Sequence, residues 1–74
     1  MNNTSFGDRL GRILDSRDMS QAELSTQAHL SRMTIVEALN GRVPTGTTII
    51  KMCNVLRVSA DYLLGLTDKE RPYD

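Results

Sequence analysis

Ser20-Gln21-Ala22-Glu23-Leu24-Ser25-Thr26-Gln27-Ala28-His29-Leu30-Ser31-Arg32-Met33-Thr34-Ile35-Val36-Glu37-Ala38-Leu39-Asn40-Gly41 is the stretch that decides the fold. It holds two helix starts and two helix ends. Ser20 with Glu23 forms a complete capping box: the serine oxygen takes the Glu23 N–H, and the glutamate takes the serine N–H. Leu24 and Ala28 then share one face, and this helix is expected to stop near His29. Ser31 is a second N-cap residue. Ile35, Ala38 and Leu39 form the inward face of the helix it opens, which leaves positions 32, 33, 36, 37 and 40 facing out. Asn40-Gly41 is a C-terminal stop. The pattern predicts two short helices joined by a tight turn.

Working outward, Phe6, Leu10, Ile13 and Leu14 recur at helical spacing on the N-terminal side. Ser5 with Asp8 repeats the capping pattern, and Arg17 falls near the expected C-terminal end, where a cation suits the helix dipole. On the other side, Arg42-Val43-Pro44 reads as a loop, since Pro44 disfavours helical geometry at Val43. Thr45 can cap a fourth helix with Ile49, Met52, Cys53 and Leu56 on one face. Ser59 caps a short fifth helix, Ala60 to Leu64. Gly65 ends it in a left-handed conformation, with Leu66 placed for the accompanying apolar contact. The tail from Thr67 to Asp74 is charged, contains Pro72 and is expected to fray. Strand signals are nearly absent. The fold class is therefore all-α, one domain over residues 1–74 with an ordered core of about 5–66.

Composition narrows the function classes. Seventy-four residues make one domain with a thin stability margin. One cysteine, Cys53, and one histidine, His29, provide neither an intramolecular disulfide nor a zinc site. Cys53 lies in an apolar run and reads as a small buried hydrophobe. The polar start, Met1-Asn2-Asn3-Thr4-Ser5, has no apolar core of a signal peptide, and no apolar run is long enough to span a bilayer. A soluble, cytoplasmic protein is expected. No Ser/His/Asp set, glycine-rich phosphate loop or convergent carboxylate pair suggests an enzyme, and no cofactor, metal or small-molecule substrate is expected. No helix carries the basic polar face of a membrane-surface helix. Lys plus Arg equals 9 and Asp plus Glu equals 9.

Several fragments in order now resemble one family. They are Phe6-Gly7-Asp8-Arg9-Leu10, Ser20-Gln21-Ala22-Glu23-Leu24, Leu30-Ser31-Arg32, Thr34-Ile35, Asn40-Gly41, Pro44, and Val58-Ser59-Ala60-Asp61-Tyr62-Leu63-Leu64-Gly65. Together they are similar to the phage-repressor, Cro and Xre-type helix-turn-helix proteins over roughly residues 6 to 66. The resemblance implies a compact five-helix lambda-repressor-like DNA-binding domain, dimers on palindromic operators, and transcriptional repression. It places Arg32, Met33 and Glu37 at base-reading positions of the third helix, and Val36, also facing out, is added to them as a candidate reader. It places Gln21, Thr34, Asn40 and Arg42 at phosphate-contacting positions, and the cap residues Ser31 and Thr45 are added as candidate phosphate contacts because helix starts and hydroxyls can bond phosphates. Base chemistry suggests how the readers would work. Arg32 can donate twice to guanine O6 and N7, Glu37 can accept from cytosine N4, and Met33 and Val36 can lie against a thymine methyl.

Three departures from the family pattern carry expectations. His29 stands where the family has glycine, at a turn position that needs positive φ, which histidine adopts at a cost. Leu14 and Leu39 replace an arginine and a glutamate that the family pairs in its interior, so the two leucines are expected to touch. The segment Val43-Pro44-Thr45-Gly46-Thr47-Thr48 carries no cation, and the charges from Ser20 to Thr48 (Glu23, Arg32, Glu37, Arg42) sum to zero. Weak binding by a monomer and a shallow salt slope follow. A homodimer is expected, with Tyr62, Leu66 and the tail as candidate contacts. The alternative is a protein-interaction module of the same fold, antitoxin or anti-repressor-like, which the zero net charge favours.

Overall fold

A computed structural model describes residues 5–71 of the chain. Its helices are α1 (Phe6–Ser16), α2 (Gln21–Ala28), α3 (Arg32–Leu39), α4 (Gly46–Leu56) and α5 (Ala60–Leu63), with no strand among the described residues. Every start is a hydroxyl. Ser5, Ser20, Ser31, Thr45 and Ser59 accept from the backbone N–H of Asp8, Glu23, Thr34, Thr48 and Tyr62, respectively. At α1 and α2 the capping box closes, since Asp8 and Glu23 accept the Ser5 and Ser20 N–H. Each such cap stabilises its helix by about 1 kcal/mol.

Every stop is a positive-φ residue. Asp18 (φ 55°), His29 (56°), Gly41 (105°), Arg57 (59°) and Gly65 (84°) follow α1 to α5 in turn. After α1, α2, α3 and α5 the chain closes with paired bonds from the left-handed residue and the one after it. Met19 N–H to Leu14 O at 2.9 Å with Asp18 N–H to Asp15 O at 3.1 Å is one such pair. After α4 a single bond, Arg57 N–H to Cys53 O at 2.8 Å, does the same work. These are the Schellman and αL terminations that satisfy the last carbonyls of a helix. His29 adopts the positive φ anticipated for its position. Asp18 and Arg57 give no comparable sign in the sequence. α5 ends at Leu63, one residue short of the expected end, with Leu64 as its cap. Arg17 caps α1, but its guanidinium serves another helix, donating to Leu56 O at the end of α4 at 3.2 Å.

The apolar faces meet in one core. Leu10, Leu24, Ile35, Met52 and Leu63, one from each helix, have no exposed surface. Burial of each contributes roughly 1.5–3 kcal/mol relative to exposure. α3 packs on α1 and α2, α2 also packs on α4, and α5 closes the core against α1 and α4. Gly7 allows the tightest approach. A Cβ at this position would fall 2.8 Å from Ala38 O and closer still to Leu39 O, so the start of α1 rests on the backbone that ends α3. Leu14 and Leu39 line a common recess with Gly11 and Gln21. Cys53 is half-buried, and burial pushes its thiol pKa up, away from a reactive thiolate.

The segment after Gly65 differs from the expected fraying. Its first residues return to the domain and are held by Arg9, a residue of α1 buried to 2% exposure. The Arg9 guanidinium donates to Tyr62 O at 3.1 Å, to Thr67 O, and to the Asp68 carboxylate at 2.9 Å. It also lies 4.8 Å from the centroid of the Tyr62 ring. Ser59 N–H donates to Glu70 O at 2.7 Å, and Arg17 stands 3.7 Å from Glu70. An interior guanidinium needs acceptors, and the returning chain supplies them. The end of the expected fray, 72–74, lies outside the described residues. No helix among the described residues is long and apolar enough to cross a membrane.

Candidate nucleic-acid interface

The outward face of α3 follows from its inward one. Ile35 and Ala38 are buried, which turns Ser31, Arg32, Met33 and Asn40 fully outward and leaves Thr34, Val36 and Glu37 half-exposed. Met33 is 64% exposed, a large apolar side chain standing in solvent at the start of a helix. Arg32 is the first residue of α3 and Ser31 its cap, so both lie where the helix presents unpaired N–H groups and its positive dipole end.

Three helix starts differ in what they offer an anion. α2 begins beside Gln21, half-buried, but its first turn holds Glu23, whose carboxylate already takes the Ser20 N–H at 2.9 Å. Hydrogen bonds to the carboxylate, chiefly from the Ser20 backbone N–H and secondly from the Ser20 hydroxyl, hold the Glu23 pKa below its ordinary value. The α2 start is thus internally neutralised. α3 and α4 have no acidic residue in the first turn. Their caps each carry a second hydroxyl three residues on. Ser31 Oγ and Thr34 Oγ1 are 2.8 Å apart, and Thr45 Oγ1 donates to Thr48 Oγ1 at 3.3 Å. Hydroxyls and free N–H groups of this kind bond phosphate oxygens without a cation.

A hollow joins the two starts, lined by Thr34, Glu37, Arg42, Pro44, Thr45 and Thr48. Four of the expected site residues, Thr34, Glu37, Arg42 and Thr45, therefore converge there. Thr48 joins them unannounced, although the Ser31-x-x-Thr34 spacing recurs in Thr45-x-x-Thr48. Gln21 faces a separate recess beside Leu14, Met19 and Leu39. Glu37 carries an ion pair, with Arg42 Nη1 at 3.5 Å from its Oε2. Its partner is the loop arginine rather than Arg32. Tyr62, a candidate dimer contact, is 7% exposed beneath Arg9 and belongs to the core, whereas Leu66 is 74% exposed and Leu64 43%.

A profile of helix-turn-helix proteins matches residues 10–63, most of the chain and all of α2, α3 and α4. The chain belongs to the helix-turn-helix family. Solved structures of similar fold include the P22 c2 repressor in complex with a synthetic operator, at TM-score 0.78 and 24% identity over 84% of this chain and 96% of that one. The solution structure of the DNA-binding domain of the P22 c2 repressor gives TM-score 0.75 at 25% identity, covering 85% of this chain and 84% of that one. The restriction-modification controller protein C.AhdI from Aeromonas hydrophila gives 0.74 at 25% identity, covering 80% and 91%. Among curated proteins, none matches. In helix-turn-helix terms α2 is the helix that crosses the backbone and α3 the recognition helix.

Proposed function

We propose that this DNA-binding transcriptional regulator is a repressor, a homodimer that sets α3 into the major groove at each half of a palindromic operator. The observation that carries the reading is the start of α3, where Arg32 and Met33 stand exposed on a helix end with no acidic residue in its first turn. Arg32 donates to guanine O6 and N7, and Met33 and Val36 lie against thymine methyls. Gln21, Ser31, Thr34, Asn40 and Thr45 bond phosphate oxygens and fix the register. The solved relative bound to a synthetic operator and the controller protein support this reading. Leu64 and Leu66, both exposed after α5, supply an apolar contact between copies. A two-fold pair presents its recognition helices about 34 Å apart, one duplex turn. With no net charge, a single copy has little backbone grip, and the second copy supplies the remainder. The protein acts in the cytoplasm, where its lone thiol stays reduced.

Selection from a pool of random duplexes tests the reading. A palindromic consensus is expected, bound more weakly as salt rises. Arg32→Ala is expected to relax preference at one guanine per half-site. An unchanged base preference in that variant sinks the role of Arg32, and failure to enrich any sequence at low salt sinks the repressor reading.

A further inference from the structure

The stop at Gly41 also positions a charge. With φ of 105° there, Gly41 N–H reaches Ala38 O at 3.1 Å and Arg42 N–H reaches Glu37 O at 3.0 Å. In this termination the residue after the left-handed position lays its side chain near the one five places back, and the pair is frequently apolar. Here the two positions hold Arg42 and Glu37. The backbone thus delivers the guanidinium to the carboxylate, in the same hollow where the hydroxyls of Thr34, Thr45 and Thr48 collect.

From this geometry we infer that Glu37 is a specificity-determining counter-ion, withholding Arg42 from the phosphates of arbitrary DNA and releasing it on a cognate duplex. The inference rests on the DNA-binding reading above. The Arg42 side chain is 76% exposed and that of Glu37 45%, so the pair is loose and a phosphate competes for the arginine. On arbitrary sequence, transfer of Arg42 to phosphate strands Glu37 beside a polyanion, and repulsion offsets the new bond. Where the duplex presents a donor to Glu37, such as cytosine N4–H, the carboxylate gains a partner and Arg42 turns to the backbone. A phosphate contact, which by itself carries no sequence information, becomes conditional on a base.

Glu37→Gln, Arg42→Gln and the double variant test this. Each is titrated against a random-sequence duplex of about 20 base pairs and against a duplex recovered by selection, between about 50 and 200 mM salt. Glu37→Gln is expected to tighten the random duplex about threefold or more at the low-salt end and to steepen its salt slope by about 0.9, one phosphate. The selected duplex gains less, so discrimination narrows. Adding Arg42→Gln is expected to abolish the gain. An equal gain in the double variant makes Glu37 a bare repulsive charge and overturns the exchange. An unaltered salt slope in Glu37→Gln overturns it as well and leaves the DNA-binding reading standing, provided the parent binds the selected duplex. Failure of the parent to bind either duplex at low salt removes that reading and the inference with it.

Discussion

Two segments leave the fold through a glycine stop, one after Gly41 and one after Gly65, and they end in opposite conditions. The first delivers Arg42 to a surface pair with Glu37, 3.5 Å apart and open to solvent. The second delivers Thr67 and Asp68 to the interior guanidinium of Arg9, which also holds Tyr62 O. The same backbone device therefore yields a loosely held cation at the candidate interface and a locked strap at the other segment. What differs is where the arginine resides. A buried guanidinium must be saturated, whereas an exposed one can exchange partners.

The largest expected effect is on the locked side. Arg9→Ala should cost about 2–4 kcal/mol, from lost packing and an unsatisfied carbonyl. Asp68→Asn and Arg42→Gln, which alter side chains that are themselves exposed, should each cost no more than about 1 kcal/mol. Urea unfolding of the three variants measures the difference, and equal losses would erase the contrast. Next is Gly7→Ala, on the same helix as Arg9. The added methyl meets the backbone oxygens of Ala38 and Leu39, and overpacking of this kind costs about 1–3 kcal/mol. A neutral result by thermal unfolding would mean that α1 can slide away from α3.

The stops themselves supply a smaller test. His29→Gly should stabilise by about 0.5–1 kcal/mol, because glycine accepts φ of 56° without the Cβ penalty. Gly41→Ala should move stability the other way, and a common sign for both would sink the account of the stops. The smallest effect concerns Glu23. Its folded pKa is depressed, so its contribution is present above the unfolded glutamate value of about 4.3 and is lost as pH falls through the lower folded value. In Glu23→Gln the stability profile should therefore flatten in that acid window and keep its shape above it.

Starts and stops also differ in how well the sequence announces them. A side-chain acceptor at an N-cap is a chemical requirement, so Ser5, Ser20, Ser31, Thr45 and Ser59 could be read directly. A left-handed stop is a conformational requirement that glycine meets best but other residues can meet at a cost. Gly41 and Gly65 were therefore legible, while Asp18 and Arg57 were hidden. The outward face of α3 was legible from its period, including the exposure of Arg32, Met33 and Asn40. The partner of Glu37 was not, because the glycine stop at Gly41 sets it and not a helical spacing. Arg9 escaped for a similar reason. Its acceptors are carbonyls and a carboxylate more than 50 residues distant, and carbonyls leave no trace in side-chain pattern.

The contact at Gly7 has a consequence for how such a domain changes over time. α3 is seated at its end by main chain resting on main chain, and main chain is common to every sequence. Arg32, Met33, Val36 and Glu37 take no part in that seat. The outward residues of α3 can be exchanged like type in a fixed frame. New target sequences become reachable by substitution at these positions, while the angle at which the helix is presented stays inherited.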